Sequence, residues 1–390
     1  MNVNLHRHRR GTESTGFKAE KLERMKKMNL TLLKHAKNVF FKENMLPVYI
    51  NLYVTSKCNL HCRHCFFYKS LNKPEEISLA DIEKISKSTT GLLNIGLTGG
   101  EPFLRDDIEK IAALFAKNSD AAIISIPTNG MLPEKIALKA AEMLQQNPNT
   151  IFNITVSIDG KKETHNRIRG NNKAFSNALK TLNQLSKIKK KFKNIRLGAI
   201  YTINKLNADE TIAVYRGIAS KFDINHFQIN FLRGKPKSID CSDEIIKQYK
   251  KANAEISKDL ATRKYSGYKI AGDFYSCLNK RYKQVLANTV EQKKFQTPCY
   301  AGTTNCVIYP NADVFACEMR NDLFLGNLKD FGFNLKELLS TKENRKLIKE
   351  IRESKCFCTF ECQLTSNVAF NAMQLLKTLM LWFKLKLGVN

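Results

Sequence analysis

The chain is predicted to be an α/β protein built on a parallel sheet, followed by a smaller cysteine-rich α+β unit. Three observations predict this. Strand-like and helix-like segments alternate from about 48 to 232, and repeated β-α units give parallel strands joined by helical crossovers. The motifs that carry chemistry fall at the C-terminal ends of the presumed strands, where parallel α/β folds build their sites. Six of the eleven cysteines lie between 297 and 365, a density that points to metal ligation by a second unit.

In chain order, residues 1–45 are a basic extension with His6, Arg7, His8, Arg9 and Arg10 in one patch. Within it, 17–42 has helical spacing, with Leu22, Met25, Met28, Leu32 and His35 near one face. The core follows over 46–235. Residues 48–55 read as a strand, and Ser78 with Asp81 three residues on fits a capping box for a helix to about 88. Strands are expected at 94–98, 121–127, 152–158, 195–203 and 226–232. Helices are expected between them at 106–117, 134–146, 173–187 and 208–222. Pattern alone does not separate an open doubly wound sheet from a barrel. A helical linker at 236–296 carries Cys241 and Cys277, each read as a plain thiol because neither has a cysteine neighbour. In the cysteine-rich unit, 297–365, a small hairpin turns at Pro310-Asn311-Ala312-Asp313, and a helix is expected near 334–352.

The most informative stretch is Cys58-Asn59-Leu60-His61-Cys62-Arg63-His64-Cys65, directly after the first strand. Closed zinc and iron–sulfur sites usually take four protein ligands. Three close cysteines leave one metal position open to substrate. The competing reading is a zinc knuckle that borrows His61 or His64. Thr98-Gly99-Gly100-Glu101-Pro102 then ends the second strand, and Ser157-Ile158-Asp159-Gly160 ends the fourth. In this order, the three motifs resemble the radical SAM superfamily, in particular the branch with a C-terminal SPASM or twitch domain. The resemblance covers roughly 48–365 and implies a partial (β/α)6 TIM-like barrel with a small C-terminal cysteine-rich α+β domain.

The resemblance implies that Cys58, Cys62 and Cys65 hold a [4Fe–4S] cluster whose fourth iron chelates S-adenosylmethionine. Reductive cleavage then yields a 5′-deoxyadenosyl radical that takes hydrogen from a substrate. His64 holds the place of an aromatic residue near adenine. Gly99 and Gly100 let the backbone approach the methionine moiety, Glu101 offers the ammonium a carboxylate, and Pro102 stiffens the turn. Ser157 and Asp159 suit ribose and sulfonium contacts, Arg169 (or Arg167) suits the carboxylate, and Asn129 lies at the mouth either as a contact or as a turn residue. An auxiliary [4Fe–4S] cluster is implied on Cys299, Cys317, Cys356, Cys358 and Cys362, with the set of four left open and Cys306 a further candidate. Full ligation of that cluster points to electron transfer. A structural zinc is the competing reading. Two departures stand out. Ala312 occupies a position where relatives often carry glycine, and the C-terminal knot is C-x-C-x3-C.

The charge balance, 64 Lys+Arg against 36 Asp+Glu for a net +28, favours anionic partners in general. A lysine-rich, well-solvated surface accounts for it equally. No aromatic-rich RNA-recognition motif accompanies the charge, so a basic RNA-binding or RNA-modifying protein is a secondary reading. A non-catalytic electron carrier is another, although a carrier does not need the SAM motifs. The N-terminus lacks the apolar run of a secretory signal, and clustered cysteines without one suit a reducing, cytoplasmic setting. The expected partners are a peptide, protein side chain, small polyol or sugar as substrate, and a flavodoxin- or ferredoxin-type reductant. The tail, 366–390, reads as a basic amphipathic helix with Trp382. It is too broken by lysine to span a bilayer. It packs on the core or lies on the inner membrane face.

Overall fold

A computed structural model describes residues 46–234, 245–262 and 269–387. The predicted helix at 17–42 and Cys241 lie outside them. Six parallel strands alternate with helices as the pattern predicts: β1 (Tyr49–Thr55), β2 (Asn94–Gly99), β3 (Ile123–Thr128), β4 (Ile151–Ser157), β5 (Ile195–Ile203) and β6 (His226–Phe231). Each pairs with the next, so the order is sequential and the sheet stays open between β6 and β1. β1 is buried along nearly its whole length, as expected of a parallel strand covered on both faces. Ile50, Leu52, Leu97, Ile124, Ile154 and Leu197 are fully buried in the sheet layers.

The helices are α1 (Leu79–Lys87), α2 (Ile108–Asn118), α3 (Pro133–Gln146), α4 (Lys162–Arg169), α5 (Ala174–Lys191), α6 (Thr211–Lys221), α7 (Ile245–Thr262) and α8 (Lys269–Gln292). Ser78 caps α1 as predicted, its side chain accepting from the Asp81 N–H at 3.1 Å. Helix α4 was not anticipated, because it is short and strongly polar. It ends at Gly170, whose φ of +70° is the left-handed stop that glycine allows.

The cysteine-rich unit is joined to the barrel sheet. Strand β7 (Asn305–Ile308) pairs in parallel with β1, and β8 (Asp313–Phe315) and β9 (Phe324–Asn327) continue antiparallel. Among the described residues this gives one nine-stranded sheet. The single helix expected near 334–352 is two, α9 (Leu335–Leu339) and α10 (Lys342–Glu353). Thr341 breaks the run by capping α10, accepting from the Asn344 N–H at 3.3 Å. Helices α11 (Glu361–Ala369) and α12 (Ala372–Leu387) follow.

Candidate functional site

The cysteine loop leaves β1 at Thr55 and is tied down on both flanks. Ser56 Oγ donates to the Lys73 carbonyl at 2.8 Å, and the Cys58 N–H donates to Asn72 Oδ1 at 3.0 Å. The Arg63 N–H donates to the Ile168 carbonyl of α4 at 2.8 Å. At the end of β2, the Gly100 N–H reaches the Thr55 carbonyl at 3.0 Å and the Glu101 N–H reaches the Lys57 carbonyl at 2.8 Å.

These contacts give the glycines a reason that the sequence did not show. A Cβ at Gly99, where φ is +142°, would sit 2.2 Å from the Thr55 carbonyl oxygen. One at Gly100 would sit 2.2 Å from that of Lys57. Backbone against backbone leaves nothing to move aside. The glycines therefore let the β2 turn lie directly on the cysteine loop, and their own backbone faces the cavity.

That cavity encloses about 220 Å³. Cys58, Cys62, Cys65, His64, Gly99, Gly100, Asn129, Ser157 and Arg169 all line it. Glu101, Pro102 and Asp159 do not. Glu101 is 1% exposed, and its carboxylate accepts from Thr128 Oγ1 (2.8 Å), the Asn129 N–H (2.7 Å) and the Phe103 N–H (3.2 Å). Burial pushes its pKa up to about 7 against those donors. In this geometry it clamps the ends of β2 and β3 together behind the wall.

Asp159 is fully buried. Its carboxylate takes Arg169 Nε at 2.6 Å and Nη2 at 2.5 Å, and the Thr202 N–H at 2.7 Å. Burial works to raise its pKa, but Arg169 above all, then His64 and His165, bring it net below the usual range. In this structure the two carboxylates expected as direct ligand groups, Glu101 and Asp159, are engaged by protein donors behind the cavity wall. A desolvated carboxylate must be fully hydrogen-bonded, and these two are satisfied by protein donors. Arg169, not the exposed Arg167, faces the site, and its Nη1 lies 3.9 Å from Cys62 Sγ. Asn129 does both of the things open to it. It lines the cavity, and it makes a turn by accepting from the Met131 N–H at 2.9 Å while reaching Asn59 at 2.8 Å.

Burial lowers the His64 pKa to about 4, so the ring is neutral near pH 7. Its Nδ1 is buried with no partner among the described residues, and its Nε2 is 3.9 Å from Asp159. Burial pushes the Cys58 thiol up to about 12. Cys62 is likewise raised by burial, with Arg169 opposing. Three thiols in a protected pocket, an orphaned ring nitrogen and a glycine-backed wall fit an iron–sulfur cluster with a nucleoside-bearing ligand.

The opposite wall was missed by sequence reasoning. Arg233, just past β6, reaches Glu318 at 3.4 Å and Glu361 at 3.0 Å, and stacks on Phe360 with its guanidinium carbon 4.6 Å from the ring centre. Tyr53 donates to Glu318 at 2.5 Å. Tyr53, Arg233 and Glu318 all line the cavity. The position of Arg233 after a parallel strand was the signal available for it. Glu318 offered only its adjacency to Cys317.

Four of the C-terminal cysteines influence one another. Burial comes first in raising Cys299, Cys317 (to about 12) and Cys358, and each is raised further by neighbours among Cys299, Cys317 and Cys356. Their sulfurs face donors: the Met319 N–H at 3.4 Å from Cys317, the Phe360 N–H at 3.3 Å from Cys358, and the Arg320 guanidinium at Cys356. Among the described residues no three His, Cys, Asp or Glu side chains converge tightly enough to chelate a single ion. Cys362 faces elsewhere, with Tyr49 Oη 3.8 Å from its sulfur and Arg233, Glu318 and Glu361 as its charged neighbours. Cys306 is buried in β7, raised to about 12 by burial alone. Cys277 is buried on α8.

Comparison with known proteins agrees with the α/β fold. Residues 52–216 match the family model described as Radical SAM superfamily. The chain is 31% identical over 183 residues to the Fe-coproporphyrin III synthase of Methanosarcina barkeri, 45% of this chain and 41% of that one. It is 28% identical over 182 residues to the sporulation killing factor maturation protein SkfB of Bacillus subtilis, 46% and 41% respectively. The match thus spans about two fifths of the length of these relatives. The mycofactocin maturase MftC of Mycolicibacterium smegmatis is 25% identical over 323 residues, 79% of this chain and 73% of that one. Among solved structures, native anSMEcpe with bound AdoMet superposes with a TM-score of 0.57 at 17% identity, covering 86% of this chain and 99% of that one. Streptococcus suis SuiB bound to S-adenosylmethionine gives 0.56 at 17%, covering 80% and 70%.

Proposed function

We propose that the protein, whose residues 52–216 match the Radical SAM superfamily model, is a radical SAM maturase acting on a peptide or protein side chain. In this reading Cys58, Cys62 and Cys65 hold a [4Fe–4S] cluster, and Cys299, Cys317, Cys356 and Cys358 hold an auxiliary one. The observation that carries it is convergence: three thiols, the Gly99–Gly100 backbone, His64, Ser157 and Arg169 meet on one cavity. When the groups are bound, the first site supplies a 5′-deoxyadenosyl radical that removes hydrogen from substrate, and a fully ligated second cluster supplies an electron acceptor.

The chain's own residues do the positioning. Asp159 fixes the Arg169 guanidinium through two short bonds, so a cation is presented to an anionic ligand group without reorganisation. The neutral His64 offers a ring face and a nitrogen. Glu101 keeps the β2 and β3 ends in register. Opposite, Tyr53, Arg233 and Glu318 form a polar wall for the substrate, and Glu318 is joined in sequence to Cys317 of the second set.

Four thiols that feel one another without converging on a point suit a polynuclear cluster, whose ligands attach to separate irons, better than zinc. The peptide class is supported by the match to a maturase that aligns along most of both chains. Anaerobic reconstitution with dithionite and S-adenosylmethionine tests the reading. The wild-type protein should release 5′-deoxyadenosine, and Cys65→Ala should release none while losing the first cluster's absorbance. Equal release from both would sink the assignment.

A further inference from the structure

Helix α12 is turned inside out relative to the usual surface helix. Its face toward α8 carries polar residues: Gln374 is 5% exposed and Thr378 is fully buried. Gln374 is fixed there, accepting from Arg281 Nε at 2.8 Å and donating to the Gln296 carbonyl at 3.3 Å. The outer face carries Met373, Leu376, Met380, Phe383 and Leu387, at 63, 59, 58, 56 and 76% exposure. A helix on a soluble surface buries its apolar stripe and shows its polar side. This one turns Gln374 and Thr378 onto the protein and leaves an apolar stripe outside, which marks an interaction surface. Packing on the core, one of the two outcomes open from sequence, covers Gln374 and Thr378 and half-buries Leu375, Leu379 and Leu381, but leaves the stripe outside.

We infer that α12 docks the protein, apolar stripe down, on the surface of an anionic lipid bilayer. Charge selects this occupant. The helix sequence has Lys377, Lys384 and Lys386 and no Asp or Glu, and the chain carries +28. A second copy of the same helix would bring only like charges together across the stripe. Anionic headgroups meet the lysines while their stems extend over the apolar face. Trp382 lies on the flank nearer the packed face, its indole nitrogen buried and its ring 5.1 Å from that of Phe383. Among the described residues no helix is long and apolar enough to cross a membrane, so the contact is interfacial.

Trp382 is the only tryptophan of the chain, so its fluorescence reports on α12 alone. The full chain is titrated with vesicles of phosphatidylcholine, and with vesicles of the same lipid containing phosphatidylglycerol. Anionic vesicles should sediment the protein and shift Trp382 emission to the blue, and added salt should weaken both effects. Met380→Glu and Leu376→Glu, both at exposed positions, should weaken binding more than tenfold. Lys384→Gln should weaken it about fivefold. Thermal unfolding and 5′-deoxyadenosine release should be unchanged in all three. Three outcomes would overturn the inference. One is sedimentation without a Trp382 shift, which places the contact elsewhere on this basic chain. Another is indifference to the two glutamate substitutions. The third is a lipid-independent dimer that Met380→Glu dissociates, which would make a second copy the occupant.

Discussion

Cys58, Cys62 and Cys65 sit on one loop after one strand, whereas Cys299, Cys317, Cys356 and Cys358 come from three segments of the C-terminal unit. The first set is positioned locally: the loop is tied by Ser56, Asn72 and the β2 glycines, and its spacing can be read from sequence. The second is assembled only when β7 joins β1 and the chain returns after α10. A contiguous ligand set can bind iron in a partly folded chain, whereas a dispersed one depends on the finished sheet. The proposed auxiliary site should therefore be the more sensitive of the two to mutation.

The largest effect that would break this comparison concerns which thiols form the second set. Cys358→Ala should strip the auxiliary cluster's iron and abolish substrate turnover, yet leave measurable cleavage of S-adenosylmethionine. Cys362→Ala should retain both clusters, because its sulfur faces Tyr49 and Arg233. Iron analysis and electron paramagnetic resonance of the two variants decide it. The reverse pattern would replace Cys358 by Cys362 in the quartet.

This contrast also explains what was legible. The six barrel strands, the α1 cap and the cysteine loop followed from local pattern, whereas His64, Gly99, Gly100, Ser157 and Arg169 were named through the family resemblance; the three cysteines and these five residues line the cavity. Glu101 and Asp159 were visible as residues but not as clamps. Their hydrogen-bond partners, Thr128 and Arg169, lie on other elements, and only tertiary structure shows that the carboxylates are saturated. Arg233 follows β6 and Glu318 follows β8, far apart in the strand order, and no periodicity announces that they meet. The amphipathic character of α12 was visible in sequence, but which side faces out depended on Gln374 finding Arg281.

Acid should separate the two regions by a smaller amount. All seven histidines precede residue 297, and burial holds His165 near 3 and His226 near 4. A histidine whose folded pKa is depressed contributes stability above its unfolded value of 6.5, and that stability is lost as pH falls toward the folded pKa, because only the unfolded chain takes up the proton. Stability should therefore drop between about pH 6.5 and 4. His165→Asn keeps an acceptor for the Asp159 N–H that now reaches Nδ1 at 2.9 Å. It should lower stability at pH 7 but flatten the slope by about 1.4 kcal/mol per pH unit. Urea unfolding followed by circular dichroism at several pH values measures this, and an unchanged slope would remove His165 from the account.

The smallest effect lies in the hairpin between β7 and β8. Ala312 holds a φ of +75° and is fully buried, with its N–H on the Tyr309 carbonyl and its carbonyl accepting from the Leu328 N–H, both at 2.9 Å. The turn expected to be in doubt at this position is thus kept in the left-handed conformation that glycine favours, at the expense of strain on a Cβ. Relieving that strain is worth about 1–2 kcal/mol, and losing the buried methyl costs about 0.8 kcal/mol. Ala312→Gly should accordingly stabilise the protein by less than about 1 kcal/mol. Because Cys317 follows β8 directly after this turn, the gain should show as slower loss of the proposed auxiliary iron on chelation, with the first cluster unaffected. A faster loss would mean that the methyl's packing outweighs the backbone strain and that the hairpin tolerates alanine for its contacts.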